Sequence, residues 1–543
     1  MSLYHFIKQE SEIVSNRIVF MLIFSGLATG LLVSVINHAA DTVLTQTVEG
    51  RILFLYLVVF LLYIYTQKYS LANTIYPLDN ALYKLRLRLV AKAGSCDLRE
   101  FETISNSELY HQLSHEINLA AQLLPWITYS AQATVILGFC LIYLAWLSVA
   151  SFLIISLTLA VAVLWHLFVE KPVPHEFCSI TAKELEFSQL LEILSRDAGE
   201  LRLNHAKRKD FLASAQTIST QSEELKLTVD KQTISSIMST RIVLFILLAI
   251  FLFIVPIYDP DEVELLFKIT VVIFFIMGPI TQLVYALPLL LRLDVALSSV
   301  YAFEARLDTA KPNYGGAEAE NKGFASDFQE LRLASASFAY SSEKGLFKEI
   351  NLIVHQGEVI FVYGPGGSGK TTLLKLLCGL YAPDTGSMYV DKRKVTDLDY
   401  PYYRHLFVSA FRDTPPPSTI PTSQTPPDPA WVQALLERIG LKETVEYADG
   451  QFNYAPLSHT QQWRLMVVSM LLQKRPIYLF DDCSGGRDDE FTQLFYEEIL
   501  EDLRNEGKTV VVVTQNKLFF HLADRVWEIH NGEVQISTPA NDS

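Results

Sequence analysis

Val359-Ile360-Phe361-Val362-Tyr363-Gly364-Pro365-Gly366-Gly367-Ser368-Gly369-Lys370-Thr371-Thr372 decides the reading of the second half of this chain. The first five residues are β-branched or aromatic, as expected of a buried strand. The next eight, Gly364 to Thr371, fit GxxxxGK[ST], the phosphate-binding loop, and Thr372 follows. Its glycines let backbone N–H groups converge on phosphates, and the helix that follows presents its positive end. An apolar helical run, residues 373–380, stands where that helix is required. Gly364, Gly366, Gly367, Ser368, Gly369, Lys370, Thr371 and Thr372 are therefore candidate nucleotide contacts. Lys370 is expected on the β and γ phosphates, and the Thr371 hydroxyl on Mg²⁺.

Downstream, Ile477-Tyr478-Leu479-Phe480 reads as a second strand that ends in Asp481-Asp482. Asp481 fits the carboxylate that holds Mg²⁺, and Asp482 the carboxylate that polarises the attacking water. Residues 509–514 read as a third strand ending at Gln515. Parallel strands that carry such residues at their carboxyl ends form the ligand crevice of an α/β sheet.

Upstream, residues 309–326 are rich in Gly, Ala and Glu and read as a linker between residues 1–308 and an α/β domain over 327–543. The first part is of another kind. Uncharged runs lie at about 18–36, 52–66, 127–147, 151–169, 242–258 and 269–291. A membrane-spanning helix needs ~20 mostly apolar residues to cross ~30 Å of hydrocarbon. Six spans are the expectation, hence an all-α membrane domain. Residues 37–50 and 258–265 contain Asp and Glu but no Lys or Arg. Residues 67–122 carry six Lys or Arg and residues 169–241 ten, with Lys207-Arg208-Lys209 the densest run. The positive-inside rule puts these long segments and both termini in the cytoplasm. No Asp, Glu, Lys or Arg occupies the centre of a run, so no charge relay for ion-coupled transport is visible.

Composition agrees. Of 543 residues, 50% are apolar and 19% charged, which excludes a disordered chain. The net charge of −15 argues against a nucleic-acid partner. The five cysteines form no CxxC pair, which argues against a zinc or disulfide framework.

Six spans followed by this nucleotide domain resemble an ABC exporter half-transporter. The resemblance is closest to the cyclic-peptide and siderophore export branch, that of the pyoverdine and syringomycin export proteins. It is carried by Gly278-Pro279-Ile280-Thr281-Gln282-Leu283, Ala286-Leu287-Pro288, Glu200-Leu201-Arg202-Leu203-Asn204 and Ala523-Asp524-Arg525-Val526. It implies ATP and Mg²⁺ as cofactors. It implies pairing with a second half-transporter, as a homodimer or heterodimer. It also implies a bacterial inner (plasma) membrane surrounded by lipid, and a small peptide or siderophore cargo. Tyr340 matches the aromatic residue that stacks on adenine. Ser458 and Gln461 match the motif that closes over the partner's ATP, and Arg412 stands at the position of the Q-loop glutamine.

Departures from the family pattern gather on the hydrolytic side. Leu457-Ser458-His459-Thr460-Gln461 has Thr460 in place of a glycine that approaches a phosphate. Asp482 replaces the catalytic Glu and is one methylene shorter. Gln515 replaces the switch His, and an amide neither titrates nor carries charge. Asp482 and Gln515 remain the candidate catalytic pair. An exporter is the expectation. The rival is a weakly hydrolysing subunit, either half of a heterodimer or an ATP-sensing scaffold.

Overall fold

Val359–Tyr363 (β3), Thr509–Val513 (β10) and Ile477–Asp481 (β9) are almost wholly apolar and form the parallel centre of a sheet. A strand covered on both faces needs apolar side chains at every position, not alternate ones. The two faces divide accordingly. Val359, Phe361, Phe480, Val510 and Val512 pack into one core, and Ile360, Val362, Leu479, Val511 and Val513 into the other. In the computed structural model the described residues are 2–10, 16–44, 50–169, 174–254, 263–310, 324, 328–341, 344–397, 399–411, 414, 416, 419, 427–448, 450–481 and 489–539.

The described residues form two units. The second contains Asp97–Glu102 and the described residues beyond Ala310. Its main sheet has the order β12-β11-β3-β10-β9-β6, where β6 is Phe407–Ala410, β11 Arg525–His530 and β12 Glu533–Ser537. All neighbours are parallel except β11 and β12. Glu330–Ser341 (β1), Lys344–His355 (β2), Thr385–Val390 (β4) and Arg393–Lys394 (β5) make an antiparallel sheet in the order β2-β1-β4-β5. Val445–Ala448 (β7) and Gln451–Tyr454 (β8) pair as a hairpin. The short helix Leu98–Phe101 also belongs to this unit. Its Arg99 donates to Asp384 at 2.8 Å and to the Ala339 carbonyl at 2.6 Å.

The first unit is helical. Its long elements are α1 (Asn16–Leu44), α2 (Gly50–Ser95), α3 (Asn106–Leu147), α4 (Val149–Val169), α5 (Pro174–Arg196), α6 (His205–Ile254) and α7 (Val263–Thr309). Among the described residues, α2, α3, α6 and α7 are long and apolar enough to cross a membrane. The apolar stretches Ile23–Ala39 and Val149–Ala162 are shorter. Each of the six uncharged runs falls on one of these helices, save residues 255–258, which lie outside the described residues.

Several helices outrun their apolar part, and one apolar stripe packs the extension. Leu82, Leu85 and Leu89 of α2 are buried with Ile117, Ala120 and Leu124 of α3 and Leu293, Leu297 and Val300 of α7. Within the apolar part, small polar groups satisfy one another, because lipid offers no partner. Ser25 donates to Gln67 at 3.0 Å and accepts from Gln132 at 3.0 Å. The linker lies mostly outside the described residues.

Candidate nucleotide site

The loop between β3 and α8 (Lys370–Leu377) is shaped by crowding at two positions. A Cβ on Gly364 would sit 2.8 Å from the Ile529 carbonyl oxygen. Gly369 has φ +100°, and a Cβ there would meet Phe347 at 2.9 Å. Both positions therefore exclude an ordinary side chain. Gly369 is also the N-cap of α8 and brings no side chain to close the helix end. The first N–H groups of α8 are thus left without a side-chain acceptor, the condition for anion binding at a helix start. The helix stops at Leu377, before the end of the apolar run at 380. Gly379 with φ +69° ends it in the left-handed conformation usual after a helix C-terminus.

Lys370 folds back over the loop. Its Nζ donates to the carbonyls of Gly364 at 2.9 Å and Pro365 at 2.8 Å. The Ser368 hydroxyl is buried and has no hydrogen-bond partner among the described residues. The Thr371 hydroxyl donates to Asp481 Oδ2 at 2.8 Å, and the Asp481 carboxylate is buried at the end of β9. A hydroxyl and a carboxylate this close form an all-oxygen donor pair, the set a hard cation such as Mg²⁺ prefers. The orphaned Ser368 hydroxyl and the parked ammonium fit a phosphate group beside them.

The sheet order brings these groups together. β10 lies between β3 and β9, so Gln515, two residues past β10, follows the strand between the phosphate loop and Asp481. Its side chain is exposed. The preceding Thr514 is buried. Its N–H donates to the Val362 carbonyl at 3.0 Å, and its hydroxyl accepts from the Asn516 N–H at 3.1 Å. Those bonds fix the backbone on either side of Gln515.

Tyr340, at the end of β1, has a ring that is 55% exposed. Its hydroxyl pairs with that of Thr372 at 2.8 Å, and its ring meets Phe338 and Tyr381 edge-on at 5.2 and 6.0 Å. Thr372 is itself buried, so its hydroxyl is taken up by the tyrosine. Sequence reasoning passed over Glu102. Its carboxylate accepts from Lys375 Nζ at 2.7 Å and from the Tyr381 hydroxyl. Burial and that carboxylate hold the Tyr381 phenol well above its ordinary range. Nothing in a lone Glu far upstream signals this contact.

Ser458 and Gln461 sit at the start of α9 (His459–Gln473) and bond to each other. The Ser458 N–H donates to Gln461 Oε1 at 2.9 Å, and the Gln461 N–H donates to the Ser458 hydroxyl at 3.3 Å. This reciprocal capping box closes the helix end. Arg412 and Asp482 lie outside the described residues, as does most of the proline-rich stretch from 415 to 426.

Residues 347–485 match the ABC transporter family. The lipoprotein-releasing system ATP-binding protein LolD of Bacteroides fragilis is 31% identical over 210 residues, covering 35% of this chain and 93% of that relative. The chain belongs to the ABC transporter family. A second relative, the ATP-binding protein SyrD of Pseudomonas syringae pv. syringae, is 27% identical over 523 residues, 94% of this chain and 92% of its own. A bacterial Atm1-family ABC exporter solved with ATP bound superposes with a TM-score of 0.78 at 14% identity, over 97% of this chain and 96% of that one. The fold is thus the Atm1-family exporter fold, apolar helices first and nucleotide domain second. This ABC transporter is an ATP-binding, ATP-hydrolysing transporter, and its first unit has helices long and apolar enough to cross a membrane.

Proposed function

We propose that this transporter is an exporter, one half of a dimeric machine in the bacterial inner membrane with both termini cytoplasmic, and that it moves a cyclic peptide, siderophore or related small peptide outward. The domains run 1–308 and 327–543, joined by 309–326. The observation that carries the cargo class is a cavity of about 560 Å³ lined by Trp126, Tyr129, Gly278, Thr281, Gln282 and Tyr285. It brings aromatic faces and amide or hydroxyl groups but no charge, a lining suited to a partly apolar peptide. Gly278, Thr281 and Gln282 come from the stretch that carries the family resemblance. ATP-dependent uptake of a labelled cyclic peptide into inverted vesicles tests this. Uptake that Trp126→Ala and Gln282→Ala leave untouched would contradict the cargo site.

Pairing is supported by apolar side chains exposed along residues 174–203, outside the uncharged runs. Leu191 and Leu194 of α5 are exposed, and Leu203 is 91% exposed. Such side chains in a water-facing segment are expected where a second chain covers them.

At the nucleotide site, Lys370 would bind the β and γ phosphates, Tyr340 would stack on the adenine, and Thr371 with Asp481 would hold Mg²⁺. The ion supplies charge neutralisation between the phosphates. Gly364, Gly366, Gly367, Ser368, Gly369 and Thr372 shape the loop. Ser458 and Gln461 of a second chain would close over this ATP, with Arg412 at the edge. Asp482 and Gln515 would orient the attacking water and contact the γ phosphate. Closure would draw the helix extensions together and open the cavity outward.

A second reading rests on Thr460, Asp482 and Gln515 together, which favour slow hydrolysis and a heterodimer whose other chain supplies the fast site. Mass measurement of the assembled complex separates the two readings. A homodimer with ordinary turnover removes the second.

A further inference from the structure

The first unit contains a buried cluster that transport chemistry does not use. His111 and Glu116 lie at the two ends of the π-helical turn His111–Glu116 within α3. They are 2% and 0% exposed. Among the described residues, neither ring nitrogen of His111 and neither carboxylate oxygen of Glu116 has a hydrogen-bond partner. Buried polar groups in folded proteins are almost always paired, so four orphaned atoms in two adjacent side chains call for a ligand. His111 Nδ1 and Glu116 Oε1 stand 3.7 Å apart. His115 completes the set, and one ligand atom from each of the three residues lies within 4.8 Å of the others.

The backbone is built for this convergence. In an α-helix, 3.6 residues per turn put His115 on the face of His111 but swing a residue at i+5 away by about 140°. The wider π turn closes one turn at i+5 and returns Glu116 to that face. Such single π turns inside α-helices gather at functional sites. From α5, Glu184 Oε2 lies 3.3 Å from His115 Nε2. Lys226 of α6 holds the other oxygen at 2.8 Å. A histidine that gives one ring N–H to a carboxylate presents the other nitrogen as a metal ligand, an arrangement common at zinc sites. A cavity of about 680 Å³ between α5 and α6, lined by His115, Glu184 and Lys226 among others, offers a way in.

We propose that His111, His115 and Glu116 bind one divalent transition-metal ion of the zinc class, with Glu184 as the positioning residue that orients His115. Two imidazoles and a carboxylate suit Zn²⁺, Co²⁺ or Ni²⁺ rather than Mg²⁺ or Ca²⁺, and three protein ligands leave a coordination position for water. A bound ion would join the π turn of α3 to α5 through Glu184. The site is independent of the cargo and of the hydrolysis rate.

The test uses the full-length chain, free of any affinity tag, purified in detergent and stripped with a chelator. It is titrated with Zn²⁺ against a chromophoric competitor, then with Co²⁺ by visible absorption. One Zn²⁺ per chain is expected, with Co²⁺ bands of the intensity of a low-coordinate N/O site. The partly exposed His115 is the safe position to change. His115→Ala should weaken binding by about a hundredfold, and Glu184→Gln by about tenfold, the usual cost of an outer-sphere partner. ATP binding by both variants reports an intact fold and should be unchanged. A Zn²⁺ isotherm identical for the unaltered chain and His115→Ala would overturn the site, whether or not metal binds elsewhere.

Discussion

Two helix starts in the nucleotide unit face opposite conditions. At α8 the cap is Gly369, and among the described residues no side chain caps the end and none bonds the buried hydroxyl of the neighbouring Ser368. At α9 Ser458 and Gln461 already satisfy each other's backbone N–H groups. The first end has crowded glycines and no side-chain cap, a condition that suits a phosphate. The second spends part of its binding capacity on itself, and Thr460 adds bulk where the family has a glycine. In this reading the chain keeps a complete grip on nucleotide and a weaker means of closing over and hydrolysing it.

Removing the carboxylate proposed to hold Mg²⁺ should have the largest effect. Asp481→Asn should lower ATP turnover by about 10²-fold or more, the scale of losing one electrostatic stabiliser of the transition state. Mg²⁺-dependent fluorescence of a nucleotide analogue should drop with it. Equal Mg²⁺ dependence in both proteins would break the assignment.

A second contrast is between buried carboxylates. Asp481 has the Thr371 hydroxyl as a partner, whereas the Glu116 carboxylate, outside the uncharged runs, has no hydrogen-bond partner among the described residues. Burial, helped by the Glu184 charge and opposed by Arg292, pushes the Glu116 carboxyl up from 4.5 to about 7. A folded-state value above the unfolded one means that the native protein holds the proton more tightly. Metal-free stability should therefore fall as pH rises from 4.5 through 7. Glu116→Gln should flatten that dependence in chelator-stripped protein and be the more stable at pH 8, by roughly 3 kcal/mol at most. Thermal midpoints at pH 5 and 8 measure it, and parallel shifts of both proteins would contradict it.

Restoring the family residues probes the hydrolytic side. Asp482→Glu with Gln515→His should raise turnover by about tenfold if a shorter carboxylate and a non-titrating amide limit the rate. An unchanged rate would mean that the native residues suit this site. The smallest effect is expected at α9. Ser458→Ala should cost about 1 kcal/mol of stability through the lost cap. If the capping box competes with phosphate, this cost should appear in the nucleotide-free chain and shrink when ATP is bound.

Much of this architecture is legible in the sequence, because its signals are local. The phosphate loop is eight consecutive residues after a strand, and the apolar runs are uncharged over nearly their whole length. The strand order that places Gln515 between the loop and Asp481 follows from parallel pairing that no single segment announces. His111, His115 and Glu116 were hidden for another reason. Helical spacing puts Glu116 on the wrong face, and only the π turn corrects it. Glu102 escaped because its partners, Lys375 and Tyr381, lie far along the chain.

The most direct test of the account is steady-state ATP hydrolysis by the purified chain in lipid, measured beside Lys370→Ala. The account predicts Mg²⁺-dependent turnover above the variant at a modest rate, which Asp482→Glu with Gln515→His then raises. Equal rates for the unaltered chain and Lys370→Ala would contradict it.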